Sequence, residues 1–215
     1  MILKEIAYFH SPFTSKFGVP KQSGLVDELE GTIEFASEFR NKDMLRGIED
    51  FDYLWIIWQF SANPHAATSP LVRPPLLGGN EKVGVFASRS PFRPNAMGLS
   101  SVRLSRVDYT AEGGPLLYVR GADLMDGTPI FDIKPYVSLS DCHPEARCGF
   151  VDSHAIRRLS VTVPSSCQEA VHRRTVAGAC ESARTRPASA LPQRSVEDIR
   201  NALCRAGCEI PCRRR

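Results

Sequence analysis

No cysteine precedes Cys142, no lysine follows Lys134, and Phe150 is the only aromatic residue beyond position 141. The first absence leaves residues 1–141 without disulfides or thiolate metal ligands, so that part must hold together by burial. The last deprives residues 142–215 of the large side chains that usually dominate a core. No apolar run approaches the roughly 20 residues that span a bilayer as a helix. The opening MILKEIAYFHSPF also lacks the architecture of a signal peptide. These absences point to a cytoplasmic chain with no membrane partner.

What is present divides at the same place. A chain of 215 residues, 42% apolar and 24% charged, holds one sizeable core and a small appendage. Residues 1–141 carry 14 Lys+Arg against 17 Asp+Glu, a balance of −3, whereas residues 142–215 carry 13 and 7, a balance of +6. The expected organisation is therefore a main domain over 1–141 and a C-terminal appendage over 142–215. The Lys-free, Arg/Ala/Ser/Cys-rich composition of the appendage predicts poor order, or sequence produced in part by a shifted reading frame.

Within 1–141 the pattern is one of short strands. GTIEFASEF alternates apolar and polar positions, and FDYLWIIWQF is apolar almost throughout, as in a strand covered on both faces. KVGVFAS, LSSVRLSRVDYT, PLLYVRGADL and TPIFDIKPYV follow, separated by Gly, Pro and Asp turns. RVDYTAEGGPLLYV reads as a hairpin around Gly113 and Gly114, and DLMDGTPIFD as a second with Asp126-Gly127 as its turn. The expected helix is NKDMLRGIEDF. Many strands on short connections predict a mainly β fold, a single antiparallel barrel.

The connection SRSPFRPN carries the clearest chemical signal. Pro91 and Pro94 fix their own φ and hold Ser90 and Arg93 extended, so Arg89 and Arg93 stand on a stiff loop. Two fixed guanidinium groups suit a carboxylate or phosphate. They equally suit rim ion pairs with Asp123 or Asp126. PKQSGLVDEL, VRPPLLGGNEKVG and GADLMDGTPIFDIKPY add glycine-rich loops whose amides can approach a ligand. No dinucleotide or P-loop fingerprint accompanies them. His10 and His65, the histidines of the main domain, sit in ordinary loop contexts. The residues alone thus point to a barrel with a Gly/Pro/Arg-rich rim and an anionic or nucleotide-like ligand.

In order along the chain, KFGVPKQSGLV, RGIEDFDYLWIIWQF, VRPPLLGGN, GVFASRSPFRPNAMGLSSVRL and GADLMDGTPIFDIKPY resemble the motifs of the TrmO family, also called YaeB-like or TsaA-like proteins. The resemblance covers residues 1 to about 141. It implies an S-adenosylmethionine-dependent tRNA methyltransferase that works as a homodimer. The implied target is N6 of the threonylcarbamoyl-modified adenosine beside the anticodon. Carried over residue by residue, it implies cofactor contacts from Gln22, Ser23, Gly24, Phe60, Ser61, Arg89, Leu99 and the turn Leu124, Met125, Asp126, Gly127 and Thr128. Asp126 is the candidate carboxylate for accepting the N6 proton. Arg93, Asn95, Lys134 and Tyr136 remain for the nucleotide or the dimer contact. Ala96 departs from the family, which often has Pro there, and so does Ser23; both keep the neighbouring glycines.

Methyl transfer discharges a sulfonium and builds no oxyanion, so positioning supplies most of the rate and no metal is expected. The cysteines agree, since Cys204, Cys208 and Cys212 lack the paired spacing of a zinc site, as do Cys142 and Cys148 with His143, His154 and His172. A barrel that binds a nucleotide or RNA without chemistry is the rival reading. It would want exposed aromatics on a basic groove, whereas residues 1–141 are net acidic and their aromatics fall mostly in apolar strands.

Overall fold

A computed structural model describes residues 2–16, 18–63 and 69–154. The appendage beyond position 154, with Cys204, Cys208, Cys212 and His172, lies outside the described residues, as does His65.

Eight strands account for the main domain: β1 (Ala7–His10), β2 (Glu30–Phe35), β3 (Tyr53–Gln59), β4 (Leu71–Val72), β5 (Val83–Gly84), β6 (Met97–Asp108), β7 (Leu116–Arg120) and β8 (Thr128–Pro135). Six close into an antiparallel barrel in the order β1-β2-β7-β6-β3-β8, with β8 returning to β1. Closure leaves the barrel no open edge. The remaining pair, β4 and β5, forms a separate two-stranded ribbon, so KVGVFAS adds two residues to a strand and then turns into a 3-10 helix over Val85–Ala87.

Alternation sets which side chains fill the barrel. In β3, Leu54, Ile56 and Trp58 point inward and are buried, while Trp55, Ile57 and Gln59 face outward and are partly covered. The outer face of this apolar run is thus left for loops to cover. Phe9, Ile33, Leu117, Val119, Val102 and Ile130 complete an interior of large or β-branched apolar residues. Removing one such side chain, as in Ile56→Ala, typically costs about 2–5 kcal/mol.

Two local expectations are corrected. NKDMLRGIEDF forms two 3-10 turns, Lys42–Leu45 and Ile48–Asp50, because Gly47 between them takes φ +85° and ends any continuous helix. The hairpin across Gly113-Gly114 forms between β6 and β7. DLMDGTPIFD does not form a second one. β8 pairs with β1 and β3, and the Asp126-Gly127 turn docks on the end of β1, where the Asp126 amide donates to Phe13 O and the Gly127 amide to Phe9 O.

Candidate functional site

A cavity of about 940 Å³ opens beside the outer face of β3 and β6, under the loops before β6. Such a volume suits one cofactor-sized ligand. Trp55, Ile57, Gln59, Met97 and Leu99 supply its floor, and Gln22, Ser88, Arg89, Phe92 and Arg93 its loop walls. Four cationic side chains, Lys16, Lys21, Arg89 and Arg93, line it against a single carboxylate, Asp123.

The two arginines of the proline-flanked loop do different things. Arg89 Nη1 donates to Gln22 Oε1 at 2.7 Å, which ties the loop to the segment after β1. Arg93 folds back on its own loop, its Nη1 donating to Ser88 O at 3.0 Å and to Ser90 O at 3.3 Å. Its guanidinium is thereby fixed in the cavity wall.

At the back of the cavity a chain of hydrogen bonds runs out of the barrel. The buried indole of Trp58 donates from Nε1 to Ser100 Oγ at 2.9 Å, and Ser100 Oγ donates to Asp123 Oδ1 at 2.5 Å. Gly98 makes this possible, since a Cβ there would stand 2.3 Å from the Trp58 ring. Burial pushes the Asp123 carboxyl above its ordinary value, against the lowering effects of the Ser100 hydrogen bond, Arg89 and the Ser23 amide. Trp58 also meets Phe60 edge to face at 4.4 Å between centroids, which forms an aromatic wall beside this carboxylate.

The tRNA-methyltransferase O N-terminal domain profile matches residues 8–142, nearly all of the barrel and its last turn. The chain belongs to the TrmO family. It is 37% identical over 166 residues, 77% of this chain and 70% of the relative, to the tRNA (adenine(37)-N6)-methyltransferase of Escherichia coli (strain K12). To the enzyme so named from Eikenella corrodens it is 52% identical over 100 residues, which span 46% of this chain and 56% of the relative. Among solved structures, TrmO from Pseudomonas aeruginosa superposes with a TM-score of 0.65 at 31% identity, covering 87% of this chain and 82% of that one.

Of the residues carried over from TrmO proteins, the cavity brings together Gln22, Phe60, Ser61, Arg89, Arg93, Leu99, Met125 and Thr128. Ser23 joins them through its amide, which faces Asp123. Gly24 sits behind the wall, its amide donating to Gly121 O, and the Leu124 side chain is buried in the core. Gly127 is spent on the β1 contact. Asp126 turns away from the cavity wall, with Oδ1 accepting from the Ser11 amide at 3.2 Å and lying 3.3 Å from His10 Nδ1. Asn95 is exposed on the loop, and Lys134 pairs with Asp132 at 3.1 Å. Tyr136 packs against Tyr53 and Trp55, one side chain removed from the cavity. Asp123, which the sequence reading took only as a rim partner for the arginines, is the carboxylate that the fold delivers.

Proposed function

We propose that this protein transfers a methyl group from S-adenosylmethionine to N6 of threonylcarbamoyladenosine beside the tRNA anticodon. The cavity carries the reading. Its lining fits the cofactor: an arginine locked to a glutamine for the amino-acid carboxylate, and an aromatic pair, Trp58 and Phe60, for the adenine ring. When bound, the cofactor supplies an electrophilic methyl carbon.

The protein's own part is to align and to exclude water. Arg89, held by Gln22, fixes one end of the ligand, while Trp58 and Phe60 limit its sideways motion. Well-oriented pairs of reactants can gain roughly 7–11 kcal/mol in this way. Lys16, Lys21 and Arg93 give the mouth the charge that an RNA strand requires. Arg93, fixed by two carbonyls, is suited to the threonyl carboxylate, which unmodified adenosine lacks.

Exposed apolar side chains of the cavity lining, Phe92 at 54% and Leu99 at 58%, support a homodimer packed over this face. No helix among the described residues is long and apolar enough to cross a membrane, and the proposed tRNA substrate puts the reaction in the cytoplasm. The decisive experiment incubates the protein with labelled S-adenosylmethionine and tRNA carrying the threonylcarbamoyl group. Label in that nucleoside is expected. Cofactor or RNA binding without transfer would favour a non-catalytic barrel instead.

A further inference from the structure

We infer that Asp123 is the group that takes the proton from the acceptor nitrogen, and that Ser100 and Trp58 hold it in place for that step. The inference rests on the methyltransferase reading above and names the base it lacks. The target nitrogen belongs to a urea-like group, which is a poor nucleophile until its proton leaves. As its electron pair forms the bond to the methyl carbon, the carbon–sulfur bond breaks and its pair stays on sulfur. The nitrogen's proton passes to the Asp123 carboxylate, which later returns it to water. One positive charge on sulfur and one negative charge on Asp123 disappear together, so no co-reactant is needed.

The geometry favours Asp123 over every other group in the cavity. Among the described residues it is the only carboxylate that lines the cavity, and no described histidine lines it. Asp126, three residues on, spends Oδ1 on the Ser11 amide and the His10 ring. The hydrogen bonds around Asp123 also have a fixed sense. Trp58 Nε1 can only donate, so Ser100 Oγ accepts from it and turns its one proton to Asp123 Oδ1. That bond orients the carboxylate toward the cavity that it lines.

The groups that face Asp123 come from several elements: Arg89 from the loop after β5, Ser100 from β6 and the Ser23 amide from the segment after β1. Lys16, Lys21 and Arg93 complete the charged lining. Burial disfavours the charged carboxylate and outweighs the Ser100 and amide hydrogen bonds and Arg89, which favour it, so the pKa is raised. A carboxylate tuned upward in this way is a better proton acceptor than an ordinary one.

Asp123→Asn tests the role, because the amide oxygen still accepts from Ser100 and the volume is unchanged. With modified tRNA and S-adenosylmethionine, kcat should fall about 10²–10⁴-fold, the usual worth of a positioned acid or base. Cofactor affinity by calorimetry should change by less than about tenfold, which is 1.4 kcal/mol. The rate should rise with pH through one ionisation in the wild type, and Ser100→Ala, which removes a bond to the charged form, should move that limb to higher pH.

A readout without ligand accompanies these. A carboxyl whose pKa is raised by folding stabilises the native state below its unfolded pKa, and that stability is lost as pH rises through the folded value. Wild-type melting temperature should therefore fall relative to Asp123→Asn across that interval. The inference is overturned if Asp123→Asn keeps its kcat, if its whole loss lies in cofactor affinity, or if the two proteins melt with the same pH dependence. A wild type that transfers no methyl group to modified tRNA would instead sink the function it rests on.

Discussion

Arg89 and Arg93 stand four apart on one proline-flanked loop, yet one reaches across to Gln22 and the other donates to the Ser88 and Ser90 carbonyls of the loop itself. Their substitution should therefore separate two effects. Arg89→Ala is expected to weaken S-adenosylmethionine binding about 10–100-fold, since a hydrogen bond to a charged group is worth about 1.5–3 kcal/mol. Arg93→Ala should leave cofactor affinity closer to wild type and reduce the preference for modified over unmodified anticodon stem-loops. Equal cofactor losses, or an Arg93→Ala enzyme with undiminished preference, would show that this division is wrong. That both arginines would be fixed was legible from Pro91 and Pro94. Which of them would reach across to another segment was not, because the partner, Gln22, lies 67 residues away in the chain. The same limit applies to GADLMDG, where two carboxylates lie three apart. Only the docking of the Asp126-Gly127 turn on β1 decides which of them looks into the cavity.

Strands were readable where the residues alternate or are branched, as in β2, β6 and β8, and the connections were less so. NKDMLRGIEDF reads as a helix, yet Gly47 within it takes a left-handed turn. Ala96, which closes the arginine loop into β6, is the one non-glycine residue at positive φ among the described residues, at +46°. A left-handed L-residue costs roughly 1–2 kcal/mol. Ala96→Gly should accordingly stabilise the protein by about 1 kcal/mol, read as a higher denaturant midpoint at unchanged slope. No gain would mean that the loop already relieves the strain. The short helix α1 (Ser138–Asp141) offers a second test, because Asp141 Oδ2 accepts from the Val137 amide at 3.0 Å and from Trp55 Nε1 at 2.8 Å. The Val137 amide first, then the indole, hold the Asp141 carboxyl below the usual range. Folding lowers this pKa, so the clip contributes above the unfolded value and is lost as pH falls through the folded one. Acidification below the ordinary carboxylate range should release Trp55 and shift its emission, and Asp141→Asn should remove that step. An unchanged acid transition in the variant would show that Asp141 does not hold the indole.

At the scale of the molecule, the closed barrel followed from many strands on short connections, but its outward apolar face did not. FDYLWIIWQF reads as a strand covered on both sides. Its outer half instead forms the cavity floor, which only the order of strands around the barrel places beneath the arginine loop. The same placement separates charge. Residues 1–141 carry a net −3, while the cavity lining carries four cations and one carboxylate, so the rest of that domain stands at −6. On the proposed function, an RNA strand would be repelled by the rest of that domain and attracted at the cavity mouth, which would orient docking before any base is read. Binding of an anticodon stem-loop should then weaken with salt, and log K should fall against log[salt] by about 0.7 for each phosphate neutralised on a single strand. With up to three cations engaged, Lys16, Lys21 and Arg93, the slope should lie near −2. Lys21→Ala should reduce its magnitude by about 0.7, and cofactor binding, which involves no phosphate, should show almost no such dependence. A salt-independent RNA affinity, or a slope untouched by Lys21→Ala, would place the RNA on another face of the barrel and leave the cavity to the cofactor alone.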